Sequence, residues 1–160
     1  MDVKRIALIG GAGSGKTTAL ESFCEGMMQK GKKESGTAFI NRQKICCWSS
    51  SYPKTSKELQ LNTDGVMVFL DSTKGVTEDD AKLMKDLEDM NIPHVILANK
   101  QDLTKKKLDV HSSAPVIPTV ARETKCMVDA VENLLKIISP YQYHQNKCAL
   151  EVVTLKSSAA

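Results

Sequence analysis

A chain of 160 residues, 41% hydrophobic and 26% charged, fits one globular domain and excludes a disordered or membrane-embedded chain. A net charge of +3 is too weak to argue for nucleic acid or an anionic membrane as partner. The five cysteines, Cys24, Cys46, Cys47, Cys126 and Cys148, contain no C-x-x-C pair, which argues against zinc, and with no secretory leader they point to a reducing cytoplasm. The longest apolar runs fall far short of a bilayer span. The chain starts Met-Asp and ends SSAA, so no direct lipid anchor is expected.

Residues 3–9, VKRIALI, are apolar and β-rich and predict a first strand. A glycine-rich turn follows at 10–15. Lys16 to about Gln29 has helical spacing, with Leu20, Phe23, Cys24 and Met27 on one face. GKKESG (31–36) reads as a polar loop. TAFIN (37–41) and KICCW (44–48) read as two short strands joined by Arg42 and Gln43 in a hairpin. Residues 49–63 are polar, carry Pro53, and predict a long loop with room for one helical turn. GVMVFLD (65–71) is a continuous apolar run, the mark of a strand covered on both faces.

A helix is expected from Thr77 to Met90, with Thr77 as cap and Glu78 and Asp79 suiting its first turn. HVILAN (94–99) is another buried strand. The loop 100–113 carries KKK at 105–107, a solvated turn or an anionic contact. APVIPT (114–119) predicts a last strand. A final amphipathic helix spans 122–138, with Val128, Val131, Leu134, Leu135 and Ile138 inward and Pro140 ending it. The domain is thus expected over 1–140, with 141–160 as a C-terminal extension. Strands alternating with helices predict an α/β fold, a mostly parallel sheet covered on both faces, and ligands at the carboxyl ends of the strands.

Two motifs carry chemistry. GGAGSGKT, Gly10 to Thr17, matches the P-loop pattern G-x-x-x-x-G-K-[ST] between a strand and a helix. Gly10, Gly11, Gly13 and Gly15, with Ala12 and Ser14 between them, let successive backbone N–H groups converge on one anion. The helix start at Lys16, Thr17 and Thr18 adds partial positive charge. Lys16 brings a full charge to the β and γ phosphates, and the Thr17 hydroxyl can ligate magnesium. ANKQDL, Ala98 to Leu103, ends a buried strand. There the Asp102 carboxylate can accept from guanine N1–H and the 2-amino group. Adenine lacks both donors, so the unpaired acid discriminates against ATP. Asn99 can tie this loop to the phosphate loop, and the Lys100 stem can lie along the base.

With these motifs in this order, the chain resembles the Ras-like small GTPases, with GKTT and NKQDL most similar to the Arf-like branch. The resemblance covers roughly residues 3–138. It implies a Ras-like three-layer sandwich on a six-stranded sheet with one antiparallel strand, GTP and GDP as ligands, and a protein effector or regulator. It also places PTVARET (118–124) at the guanine O6, with the backbone N–H of Ala121 as the contact and Arg122 in place of the family's lysine.

The resemblance breaks after the third predicted strand. Where the family has Trp-Asp-x-x-Gly-Gln, this chain has Trp48, Ser49, Ser50, Ser51, Tyr52 and Pro53. The acid that reaches magnesium through water, the glycine that senses the γ-phosphate, and the glutamine that orients water are all replaced. Magnesium should be held weakly. Hydrolysis should be slower than the roughly 10⁻⁴ s⁻¹ of intact small GTPases acting alone. The chain between Lys16 and Ser49 is short for the family, and Thr37 is the candidate for the threonine that closes over magnesium. Asp71 ends a strand, where the family uses an acid structurally and other P-loop proteins use one for metal. Three readings remain: a GTP/GDP switch with slow or partner-dependent hydrolysis, a nucleotide-bound pseudo-GTPase scaffold, and an ATP-using P-loop enzyme. NKQD and the scarcity of arginines (Arg5, Arg42, Arg122) oppose the last.

Overall fold

The computed structural model describes residues 2–30, 33–60 and 62–140, together with His144 and Cys148. The expected extension at 141–160 therefore lies almost wholly outside the described residues. The centre is made by three apolar strands: β1 (Val3–Gly10), and β5 (Gly65–Asp71) and β6 (His94–Asn99), which are buried at every position. Such runs fit only a sheet covered on both faces.

Seven strands are present among the described residues, not six. Their order is β2-β3-β4-β1-β5-β6-β7, where β2 is Glu25–Lys30, β3 Lys33–Ile40, β4 Gln43–Ser50 and β7 Val116–Pro118. The extra strand is β2. Only β3 runs against the rest, because it pairs antiparallel with both β2 and β4 while the other pairings are parallel. The expectation of one antiparallel strand holds in a larger sheet.

The difference comes from the stretch read as helix and loop. Helix α1 covers only Lys16–Phe23, and Cys24 already has extended backbone. Gly26 follows at φ +59, with a register shift between Glu25 and Met28. The chain then pairs with β3. The residues of EGMMQK tolerate a helix, but backbone hydrogen bonds to a neighbouring strand override that preference. Strand β3 alternates as a half-buried strand should, with Gly36, Ala38 and Ile40 inward. A Cβ at Gly36 would lie 2.7 Å from Cys24 Cβ, so glycine here admits the α1–β2 corner. Met27, expected on a helix's buried face, is 39% exposed.

Two apolar clusters fill the two faces. One joins Leu20 of α1 and Met127, Val131 and Leu134 of α4 (Thr124–Ile138) to Ile6, Leu8, Met67, Phe69 and Leu97. The other sets Leu59 of α2 (Ser56–Gln60) and Leu83, Met84 and Leu87 of α3 (Glu78–Asp89) on Ile9, Val68, Leu70 and Ile96. Each large side chain so buried contributes roughly 1.5–3 kcal/mol relative to exposure. The result is a three-layer sandwich. Helix α3 starts on a full capping box between Thr77 and Asp80. The parallel strands β1, β4, β5 and β6 all end at one rim, where the two motifs lie.

Candidate nucleotide-binding site

The phosphate loop leaves β1 at Gly10 and enters α1 at Lys16. Gly13 and Gly15 take φ +75 and φ +110, a region that disfavours side chains. A Cβ at Gly10 would come 2.5 Å from the Phe69 carbonyl, and one at Gly15 would collide with the Asn99 amide. The glycines are thus required by close approach as well as by curvature. Ala12, Gly13, Thr17 and Thr18 face solvent or the cleft beside the loop. Lys16 Nζ donates to the carbonyls of Gly10 and Gly11 at 2.5 and 3.0 Å. Burial pushes its pKa down, partly countered by the charge of Asp80. The Ser14 hydroxyl is buried inside the loop and has no protein partner among the described residues. A cradle of this shape, with a lysine at its mouth and an orphaned hydroxyl in its wall, fits a phosphate chain.

Asn99 ties the two motifs together. Its Nδ2 donates to the Ser14 carbonyl at 2.8 Å, and its Oδ1 accepts from the Thr119 hydroxyl at 3.2 Å. One buried amide therefore clamps the ends of β6 and β7 onto the phosphate loop. Ala121 is buried, 3.4 Å from the place a Cβ on Gly15 would occupy.

Two side chains differ from expectation. The Lys100 head is drawn away to Asp71 Oδ2, 2.8 Å distant. Asp71 also accepts from the backbone and hydroxyl of Thr73 at 2.9 and 2.5 Å. Burial raises its pKa, but the bonds from Lys100 and Thr73 outweigh that and hold it low. Asp71 thus anchors Lys100 and its strand end. Asp102 is bound by Arg122 at 2.7 Å and keeps a quarter of its side chain exposed, so the acid expected to read the base is neither deeply buried nor unpartnered.

The walls of the phosphate cleft, about 770 Å³, come from residues 10–18, Lys100, Ser49 to Tyr52, and Lys33 with Glu34. Ser49 is buried and still paired in the sheet beside Leu8, so β4 runs further than 44–48. Tyr52 reaches over the loop, its hydroxyl 3.4 Å from where a Cβ on Gly11 would lie, and it donates to Asp80. Burial and the bond to Asp80 push the phenol up to about 12. Thr37 needs correction. It lies within β3, paired with Glu25 and Cys46, and its hydroxyl reaches the Glu25 carbonyl at 3.4 Å. Strand pairing places it off the cleft wall. Three positions earlier, Glu34 lines the cleft, where Thr17 donates to its Oε1 at 3.2 Å. The sequence does not point to Glu34, because 31–36 reads as a polar loop. The strand alternation at 36, 38 and 40 was the available signal.

No family model matches the chain. A protein of Methanocaldococcus jannaschii, named uncharacterized protein MJ1339, is 30% identical over 112 residues, 64% of this chain and 73% of that one. The tRNA modification GTPase MnmE of Desulforamulus reducens is 37% identical over 62 residues, 39% of this chain, which spans 13% of that protein's length. Among solved structures, the FeoB G domain from Methanococcus jannaschii superposes with a TM-score of 0.64 at 21% identity, covering 86% of this chain and 98% of that one. The fold is that of the P-loop GTPase G domains. These likenesses concern G domains at large and do not single out the Arf-like branch.

Proposed function

We propose, for a chain that belongs to the family of the Methanocaldococcus jannaschii protein MJ1339, that it binds guanine nucleotides as a small G domain. The observation that carries this reading is the Asn99 clamp, which fixes the N-K-x-D loop against the phosphate loop. Backbone N–H groups of 11–17 and Lys16 take the phosphates, and Thr17 offers its hydroxyl to magnesium. Asp102 reads the guanine edge after its bond to Arg122 rearranges, and the Ala121 N–H meets O6. The names of MnmE and of the FeoB G domain support the same ligand class.

Turnover is slow or depends on a partner protein, because Pro53 stands where a water-positioning glutamine is needed and Tyr52 where the γ-phosphate-sensing glycine is needed. A second reading, a nucleotide-bound scaffold without turnover, is favoured by one observation: β2 and β3 are already paired, where a switch needs loops that differ between GTP and GDP. Five free thiols fit a reducing, cytoplasmic setting. No helix among the described residues is long and apolar enough to cross a membrane.

Titration of nucleotide-free protein with GTP, GDP and ATP, in magnesium and then in EDTA, tests the proposal. Guanine-selective binding with a clear GTP/GDP difference supports the switch. Equal GTP and GDP affinity supports the scaffold. ATP binding as tight as GTP, or no binding at all, overturns the guanine assignment.

A further inference from the structure

The cleft presents three lysines, Lys16, Lys33 and Lys100, as expected for a polyanion, yet the Glu34 carboxylate stands among them. A carboxylate facing a phosphate chain repels it unless a cation lies between the two. The acid is not placed at random. Its Oε1 is 3.2 Å from the hydroxyl of Thr17, the residue at the magnesium position of the motif. Magnesium takes octahedral oxygen ligands at about 2.0–2.1 Å, which puts neighbouring ligands about 2.9 Å apart. The Thr17 and Glu34 oxygens are close to that spacing. Magnesium in phosphate sites is held by one or two carboxylates, phosphate oxygens and water, not by a full protein cage. Among the described residues no group of three or more His, Cys, Asp or Glu is arranged for a metal. Ser49, buried at the end of β4 on the same cleft, offers only a neutral hydroxyl.

We propose that Glu34, at the start of β3, supplies the magnesium carboxylate that β4 lacks, acting beside the Thr17 hydroxyl. The inference rests on the guanine-nucleotide reading of that cleft. Strand β3 makes the substitution possible. Its pairing with β2, Gln29 beside Glu34, holds the acid at the cleft in place of a loop that would have to close.

The test is release of a fluorescent GDP analogue from the intact chain, in magnesium and in EDTA. The wild type, Glu34→Gln, Ser49→Asp and the double variant would be compared, with thermal melts to confirm folding. The wild type should release GDP more slowly in magnesium. Glu34→Gln should weaken that magnesium effect by roughly 10- to 100-fold while leaving release in EDTA unchanged or slower. Ser49→Asp should restore magnesium dependence in the Glu34→Gln background. A magnesium effect equal in wild type and Glu34→Gln overturns this inference alone. A Glu34→Gln loss of equal size in EDTA also overturns it, since that marks a structural role. Failure of GDP to bind in either condition overturns the guanine reading, and this inference with it.

Discussion

Asp102 and Arg122 meet at 2.7 Å in a surface pair, the arginine mostly exposed and the acid a quarter exposed, whose contribution to folding is about 0–1 kcal/mol. The pair is therefore cheap to open when a base arrives. Asp102→Ala should leave the melting temperature nearly unchanged and cost GDP affinity about 2 kcal/mol, close to 30-fold, by calorimetric titration. Weak ATP binding should not fall, because no contact to adenine is lost and the penalty of the unpaired acid is removed. Tyr52 makes a pH prediction. Its phenol is pushed up to about 12 in the folded chain from an ordinary 10, so the folded state keeps the proton longer than the unfolded one. That contribution is complete below pH 10 and is lost as pH rises from 10 towards 12. Tyr52→Phe should flatten the alkaline loss of stability in that window, followed by urea midpoints. Much of this residue scale was legible beforehand. The phosphate loop, Asn99 and Asp102 announce themselves because their chemistry fixes both residue type and spacing. Glu34 and the Tyr52–Asp80 bond do not, since each depends on which distant strand or helix comes to lie beside it.

Strands and helices were readable where burial is two-sided. β5 and β6 are buried at every position, β1 is buried from Ile6 to Gly10, and α3 carries its own start signal in Thr77. The boundary between α1 and β2 was not readable, because Cys24 to Gln29 suits either state and the decision belongs to β3. Thr37 was misplaced for the same reason. A polar residue expected beside a loop became the middle of a paired strand. Two element-scale expectations follow. Thr77→Ala removes the acceptor for the Asp80 N–H and should cost about 1 kcal/mol in urea unfolding. It should also loosen Tyr52, whose partner Asp80 the cap holds. Cys47, buried in β4, has its thiol pushed well above the usual range by its contact with Cys24 and by burial. It should resist iodoacetamide at pH 8 in the folded chain and react once the chain is unfolded, as read by mass spectrometry.

At the scale of the molecule, the parallel strands bring two motifs more than eighty residues apart in sequence to one rim, and Asn99 bonds them directly. Nucleotide that binds this assembly stabilises it by mass action. GDP at a hundred times its Kd should raise the melting temperature by roughly 5–10 °C, and ATP at the same concentration should not. The sheet also changes what such a protein can signal. Between Glu25 and Ser50 the described residues form three neighbouring strands, with a turn at Asn41 and Arg42 between β3 and β4, so little slack remains in those strands to swing. A pull on Glu34 is a pull on the register between β2 and β3, and β2 is the sheet's outermost strand. Were the chain to act as the proposed switch, news of the bound nucleotide would travel as pleats shifting along a margin, and a listening protein would need to feel for a selvedge rather than a moving arm.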